Sequence, residues 1–165
     1  MSEVCIRRYT DADAEAVSAL IAYTLRTMNI RDYSSDYIEA DVAQLQPEQI
    51  RGRAAWMHFY VACEEDRIVG CGASGPYWGR EDESSLFTIF VHPEREGQGI
   101  GRRIIAALEQ DEYFLRARRI EIPASITGLG FYRKMGYDFK NGVDHVDDEQ
   151  LYRLEKFRER RSGAI

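Results

Sequence analysis

The segment LFTIFVHPEREGQGIGRRII, residues 86–105, decides how the rest of this chain is read. Residues 86–91 form an apolar run of strand length, rich in aromatic and β-branched side chains. His92-Pro93 ends the run, and glycines follow at 97, 99 and 101. Ile100, Ile104 and Leu108 then recur at helical spacing. The order predicts a strand, a glycine loop and a helix start. Such a junction gathers backbone N–H groups at the positive end of a helix dipole, which suits a pyrophosphate.

Two familiar phosphate loops do not fit. A Walker A loop needs GxxxxGK[ST], and no Lys-Ser or Lys-Thr follows these glycines. A dinucleotide fingerprint needs GxGxxG, but Gly99-Ile100-Gly101-Arg102-Arg103-Ile104 lacks the third small residue. It would also fall late, after most of the sheet.

Outward from this segment the chain alternates between two periodicities. Residues 4–9 predict a strand, and residues 10–13 supply cap-forming side chains. Val17, Leu20, Ile21, Thr24, Leu25 and Met28 share one face, so 13–28 is an amphipathic helix. Further helices are expected at 35–45 and 47–53. Residues 57–63 and 68–73 predict a β-hairpin, and 74–83, with Gly75, Pro76 and Gly79, a charged loop. A helix is expected over 99–110, with a second piece reaching 117. Then come a strand at 119–122, a helix at 126–135, and strands at 137–140 and 150–155. With no repeat and no linker, this is one mixed α/β sheet flanked by helices, a single domain over 1–156 with a polar tail at 157–165.

Composition narrows the partners. The 165 residues are 44% hydrophobic and 30% charged, with net charge −6. A nucleic-acid backbone would call for a basic face, so nucleic acid is not expected. A cationic or neutral substrate is easier to accept. Cys5, Cys63 and Cys71 are odd in number and widely spaced, giving neither a disulfide framework nor a metal motif. They read as small buried hydrophobes, and no metal is expected. No signal-peptide core and no membrane-length apolar run is present, so a cytoplasmic protein without membrane attachment is expected. A homodimer is left open.

The glycine loop resembles that of the GNAT superfamily of acyl-CoA-dependent N-acetyltransferases, Arg/Gln-x-x-Gly-x-Gly/Ala. Gln98, Gly99, Ile100 and Gly101 match its second half, while Glu96 stands where Arg or Gln is usual. A second segment is similar to the family's Asn-x-x-Ala-x-x-x-Tyr-x-x-x-Gly-Phe. Here Tyr132, Gly136 and Tyr137 match in place, with Ser125 for Asn and Gly128 for Ala. The resemblance covers nearly the whole chain. It implies a central, mostly antiparallel sheet and acetyl-CoA as co-substrate, with no metal. It further implies that loop amides hold the pyrophosphate, with Arg95, Arg102 and Arg103 offsetting Glu96 and Ser125 bonding the CoA arm. A backbone N–H near Phe90 or Val91 would bind the oxyanion.

The implied reaction is attack by a primary amine of a small molecule or peptide within a ternary complex. A lysine-type amine has a pKa of about 10.4 and arrives protonated, so a base is needed. The family's usual carboxylate position falls on Ser85, which cannot serve. Glu83, two residues earlier and on the same strand face, is the leading candidate, with Asp32 and Asp36 as others. Tyr132 is the candidate acid for the departing thiolate. His92 reads as a turn residue, and His58 and His145 as structural or solvated. Acceptor recognition is expected from Asp32, Tyr33, Tyr37, Tyr77 and Trp78, where aromatics and carboxylates suit a cationic amine. A non-catalytic acyl-CoA-binding module on the same scaffold is the alternative.

Overall fold

The structure, a computed structural model, describes residues 3–158. Seven strands form one sheet in the order β1-β2-β3-β4-β5-β7-β6. β1 (Val4–Arg8), β2 (His58–Glu64), β3 (Arg67–Tyr77) and β4 (Arg80–Val91) make an antiparallel half. β5 (Arg119–Ala124), β7 (Tyr152–Phe157) and the two-residue β6 (Asp138–Phe139) make a second antiparallel half.

The halves meet at a parallel joint of three residue pairs: Glu83 with Arg119, Ser84 with Ile120 and Ser85 with Glu121. Beyond Ser85, β4 continues beside β3 alone, while β5 continues beside β7. The sheet therefore opens into a gap between β4 and β5, and that gap positions the site.

Helices cover both faces. α1 (Ala14–Thr27), α2 (Ser35–Ala43) and α3 (Pro47–Ala54) pack on one. α4 (Ile100–Leu108), α5 (Glu112–Arg116) and α6 (Leu129–Lys134) lie on the other. Side-chain alternation along β2 serves both cores, with Val61 buried under α1 and its neighbour Ala62 under α4. Local chemistry starts the helices: the Ser34 hydroxyl accepts from the Tyr37 N–H (3.1 Å), and Pro47 opens α3. α4 lies so close to β3 that only glycine fits beneath it. A Cβ on Gly70 would stand 2.8 Å from Ile104 Cδ1.

β4 carries a bulge inside the gap. Cys71 pairs with Phe90 but Ala73 pairs with Phe87, so β4 has one extra residue there. Thr88 absorbs it at φ +55, a left-handed conformation that strains a β-branched residue. The bulge re-aims the neighbouring side chains. Phe87 packs toward Met57 and Phe59, Ile89 toward the α4 core, and Phe90 toward the α1 core.

Residues 74–83 are not the expected loop. β3 runs on to Tyr77, and β4 returns from Arg80 through a two-residue turn of Trp78 (φ +27) and Gly79 (φ +73). Gly75 and Pro76 lie within β3: Gly75 is buried, where a Cβ would stand 3.2 Å from Met57 Cγ, and Pro76, half-buried, pairs with Ser84. α6 begins three residues later than expected, because the Ser125 hydroxyl accepts from the Gly128 N–H (3.0 Å) and holds the preceding residues in a turn. Phe157, placed in the tail by the sequence reading, closes β7 opposite Arg119. Residues 159–165 of that tail lie outside the described residues. Among the described residues no helix is long and apolar enough to cross a membrane.

Candidate active site

The gap between β4 and β5 opens into a cleft of about 710 Å³. Its walls come from the 93–102 loop and the start of α4, from Phe87–Val91 of β4, from Pro123 to Tyr132, and from α1, α2 and α3. Sequence segments far apart thus converge on one continuous space.

The glycine loop forms one end. Gly97 (φ +77) and Gly99 (φ +82) both adopt the left-handed conformation that glycine tolerates best. A Cβ on either would meet nothing within 4 Å, so conformation rather than crowding requires glycine here. Gly99 leads directly into α4, whose first-turn N–H groups lack intrahelical acceptors and face an anion favourably. Gly97, Gly99, Ile100, Gly101 and Arg102 line the cleft. Gln98 and Arg103 instead line a separate shallow groove beside Glu3 and Val4. Arg95 does line the cleft, but its guanidinium is held by Glu64 through two bonds of 2.9 and 3.0 Å. That pairing spends much of the charge expected to offset Glu96.

Midway lie β4 and α6. Phe90 and Val91 line the cleft, and β5 does not pair with this part of β4. Tyr132 reaches the same space from α6. It is buried at 8% exposure, burial pushes its phenol above the usual range, and its hydroxyl has no hydrogen-bond partner among the described residues. A neutral phenol facing a cleft can donate a proton. Gly128 sits against that ring: a Cβ there would stand 2.8 Å from Tyr132 Cε2. Ser125 lines the cleft with its oxygen already accepting from Gly128. Cys71 is buried beneath the bulge, its thiol donating to the Thr88 carbonyl (3.3 Å) and pushed up to about 12 by burial. It is no nucleophile.

The far end is built by α1, α2 and α3. Tyr33 and Tyr37 line it, stacked at 4.4 Å. Their hydroxyls donate to the Gln150 and Glu149 carbonyls (2.8 and 2.7 Å), and the Tyr33 oxygen accepts from the Ile126 N–H (2.9 Å). They tie α2 to the loops across the gap. Asp32 is exposed and accepts from the Thr127 hydroxyl (2.7 Å) outside the cleft wall.

Other sequence candidates lie elsewhere. Glu83 sits at the closed parallel joint and accepts from Arg119 (3.2 Å). Arg119 also binds Glu121 and Glu155, and Lys140 binds Glu121 at 2.9 Å. The Tyr77 ring lies against Arg119, and Trp78 is 87% exposed at its turn. None of these lines the cleft. His92 accepts from the Glu94 N–H (3.1 Å) as a turn residue, and His58 is held by Asp111 (2.9 Å) away from the cleft.

Two cleft residues were missed by sequence reasoning: Asp41 of α2 and Arg53 of α3. Both are partly buried, and neither side chain makes a hydrogen bond or ion pair among the described residues. Burial raises Asp41 above the usual carboxylate range, against an opposing pull from Arg53. Burial lowers Arg53. A signal existed, since Asp41 follows Tyr37 by four residues, on the inner side of α2.

Residues 55–138 match the family model for the acetyltransferase (GNAT) domain, half of the chain. This chain belongs to the GNAT acetyltransferases, and its seven-stranded sheet flanked by helices matches the structures of that class. Solved structures show the same fold. The PaiA N-acetyltransferase of Thermoplasma acidophilum, in complex with coenzyme A, is 17% identical over 94% of this chain and 99% of its own, with a TM-score of 0.79. A GCN5-related N-acetyltransferase from Rhodopseudomonas palustris is 22% identical over 96% and 98%, with a TM-score of 0.76. An acetyltransferase from Thermus thermophilus is 12% identical over 96% and 100%, with a TM-score of 0.69. No curated protein sequence matches the chain.

Proposed function

We propose that this protein transfers an acetyl group from acetyl-CoA to a primary amine of a small molecule or peptide, by direct attack in a ternary complex. The observation that carries this reading is the continuity of the cleft, from a left-handed glycine loop at one end to an unpaired carboxylate at the other. The residues fit the cofactor: Gly97, Gly99 and the first turn of α4 offer amides into open space. The bound thioester supplies an activated acyl carbonyl.

The chain's own groups divide the remaining work. Asp41, rather than Glu83, is the carboxylate available to receive the amine's proton, because Glu83 is held by Arg119. A backbone N–H of β4 near Phe90 or Val91, in the stretch that β5 leaves uncovered, stabilises charge developing on the carbonyl oxygen. Tyr132 keeps its proton until the departing sulfur needs one. With a thiolate pKa of about 8.5, that donation assists without being obligatory.

The test is acetyl-CoA turnover against a panel of amines, followed by thiol release. Coenzyme A binding with no turnover of any amine would favour the non-catalytic acyl-CoA-binding module, a reading to which Ser85 and the locked Glu83 lend support.

A further inference from the structure

Six charged residues line the cleft, and they fall into two groups. Arg95, Glu96, Arg102 and Lys134 surround the glycine loop and α6. Asp41 and Arg53 stand apart, at the α2 and α3 end. That end is otherwise walled by apolar and neutral polar groups, including Leu45, Phe87, Thr24 and Gln44.

Leaving opposite charges partly buried and unpaired is unfavourable, since each loses hydration without gaining a partner. Asp41 and Arg53 are near enough to perturb one another, yet they do not pair. A ligand carrying one cation and one anion would satisfy both. A purely cationic amine would be repelled by Arg53, and a purely anionic one by Asp41.

We propose that the acceptor is a zwitterionic amine of the amino-acid type, its carboxylate held by Arg53 and its ammonium presented to Asp41. The inference rests on the acetyl-transfer reading and narrows it. Arg53 is then a specificity-determining residue: its planar fork matches a carboxylate. Asp41 orients the ammonium and takes its proton. The neutral nitrogen forms the new C–N bond to the acyl carbon and the C–S bond breaks; the sulfur leaves with a proton from Tyr132, and the nitrogen's second proton, lost as the amide forms, restores that phenol.

The experiment compares α- and ω-amino acids with their amides and decarboxylated counterparts, using acetyl-CoA and full-length protein. The acid of each matched set should exceed its amide in kcat/KM by about ten- to hundredfold, the usual effect of a charged hydrogen bond. Arg53→Met should bring that ratio close to one, and Arg53→Lys should restore part of it. Coenzyme A binding by each variant reports that it is folded. Equal turnover of acid and amide by the unaltered protein overturns the inference while leaving amine acetylation intact. So does an Arg53→Met variant that lowers both alike. If no amine is turned over, the acetyl-transfer reading fails, and calorimetry of acid against amide on the coenzyme A complex decides the inference. No preference for the acid there overturns it.

Discussion

Gly70→Ala tests how α4, and with it the glycine loop, is seated on the sheet. The added methyl would stand 2.8 Å from Ile104 Cδ1, 3.3 Å from the Ala62 Cβ and 3.3 Å from Ile100 Cγ2. Ile104 is fully buried, so its terminal methyl has nowhere to swing. Overpacking of this kind costs about 1–3 kcal/mol. For a chain of this size each kcal/mol lowers Tm by about 2–4 °C, so a fall of about 4–8 °C is expected at the middle of the range. Ile104→Val removes the clashing carbon and alone costs about 0.5–1.5 kcal/mol. The two changes should compensate: the double variant should be at least ~1 kcal/mol more stable than additivity predicts, beyond the ~0.5 kcal/mol scatter of independent sites. Urea denaturation of the four proteins measures the cycle. Strict additivity would refute the claim that this single contact holds α4 at its height above β3. Because the loop precedes α4, coenzyme A affinity should fall in Gly70→Ala and recover in the double variant.

Four further outcomes follow from the cleft and its supports. Tyr132→Phe should lower kcat by tenfold or more, a typical share for general acid catalysis, with coenzyme A affinity little changed; an equal loss in both would make the hydroxyl a binding group. Asp41→Asn should lower turnover yet raise Tm at neutral pH. The sign is fixed by linkage: a carboxylate whose folded pKa is raised destabilises the fold above its unfolded pKa, and the amide removes that penalty. Glu96→Arg should tighten coenzyme A binding by about two- to fivefold at low salt and less at high salt, as exposed charges do; unchanged binding would refute an electrostatic role for the loop rim. Asp13, held by Arg7 through bonds of 2.9 Å, has a lowered pKa. Its contribution is present above the unfolded carboxylate pKa and lost as pH falls through the folded value, so Asp13→Asn should flatten the acid limb of the stability profile.

The sequence carried the order of elements because most of them bury one face, and burial writes a period of two or 3.6 into the chain. It carried the glycine loop because Gly97 and Gly99 hold conformations that other residues resist. It misread residues 74–83 because glycine and proline punctuate loops, yet here Gly75 fits a tightly packed strand and Pro76 continues it. The bulge at Thr88 left no trace, since a β-branched residue is the last one expected at positive φ. Asp41 and Arg53 were missed for another reason, although the spacing of Asp41 from Tyr37 was there to read. A polar residue on a helix reads as solvated unless the tertiary structure covers it, and here α2 and α3 fold that face into the cleft.

The narrow joint between β4 and β5 has an energetic consequence. Three residue pairs and one arginine, Arg119, bonded to Glu83, Glu121 and Glu155 on three different strands, fasten the two half-sheets at one end. At the other end the backbone edges face each other with no strand between them. A ligand lying in that gap completes the sheet as a removable strand would. Binding is then also bracing: at a hundred times Kd, a ligand specific to the folded state adds about 2.7 kcal/mol. Amide exchange should therefore slow most along Phe87–Val91 and at Ala124 and Ser125, and least at the Arg119 clamp, which is closed with or without it.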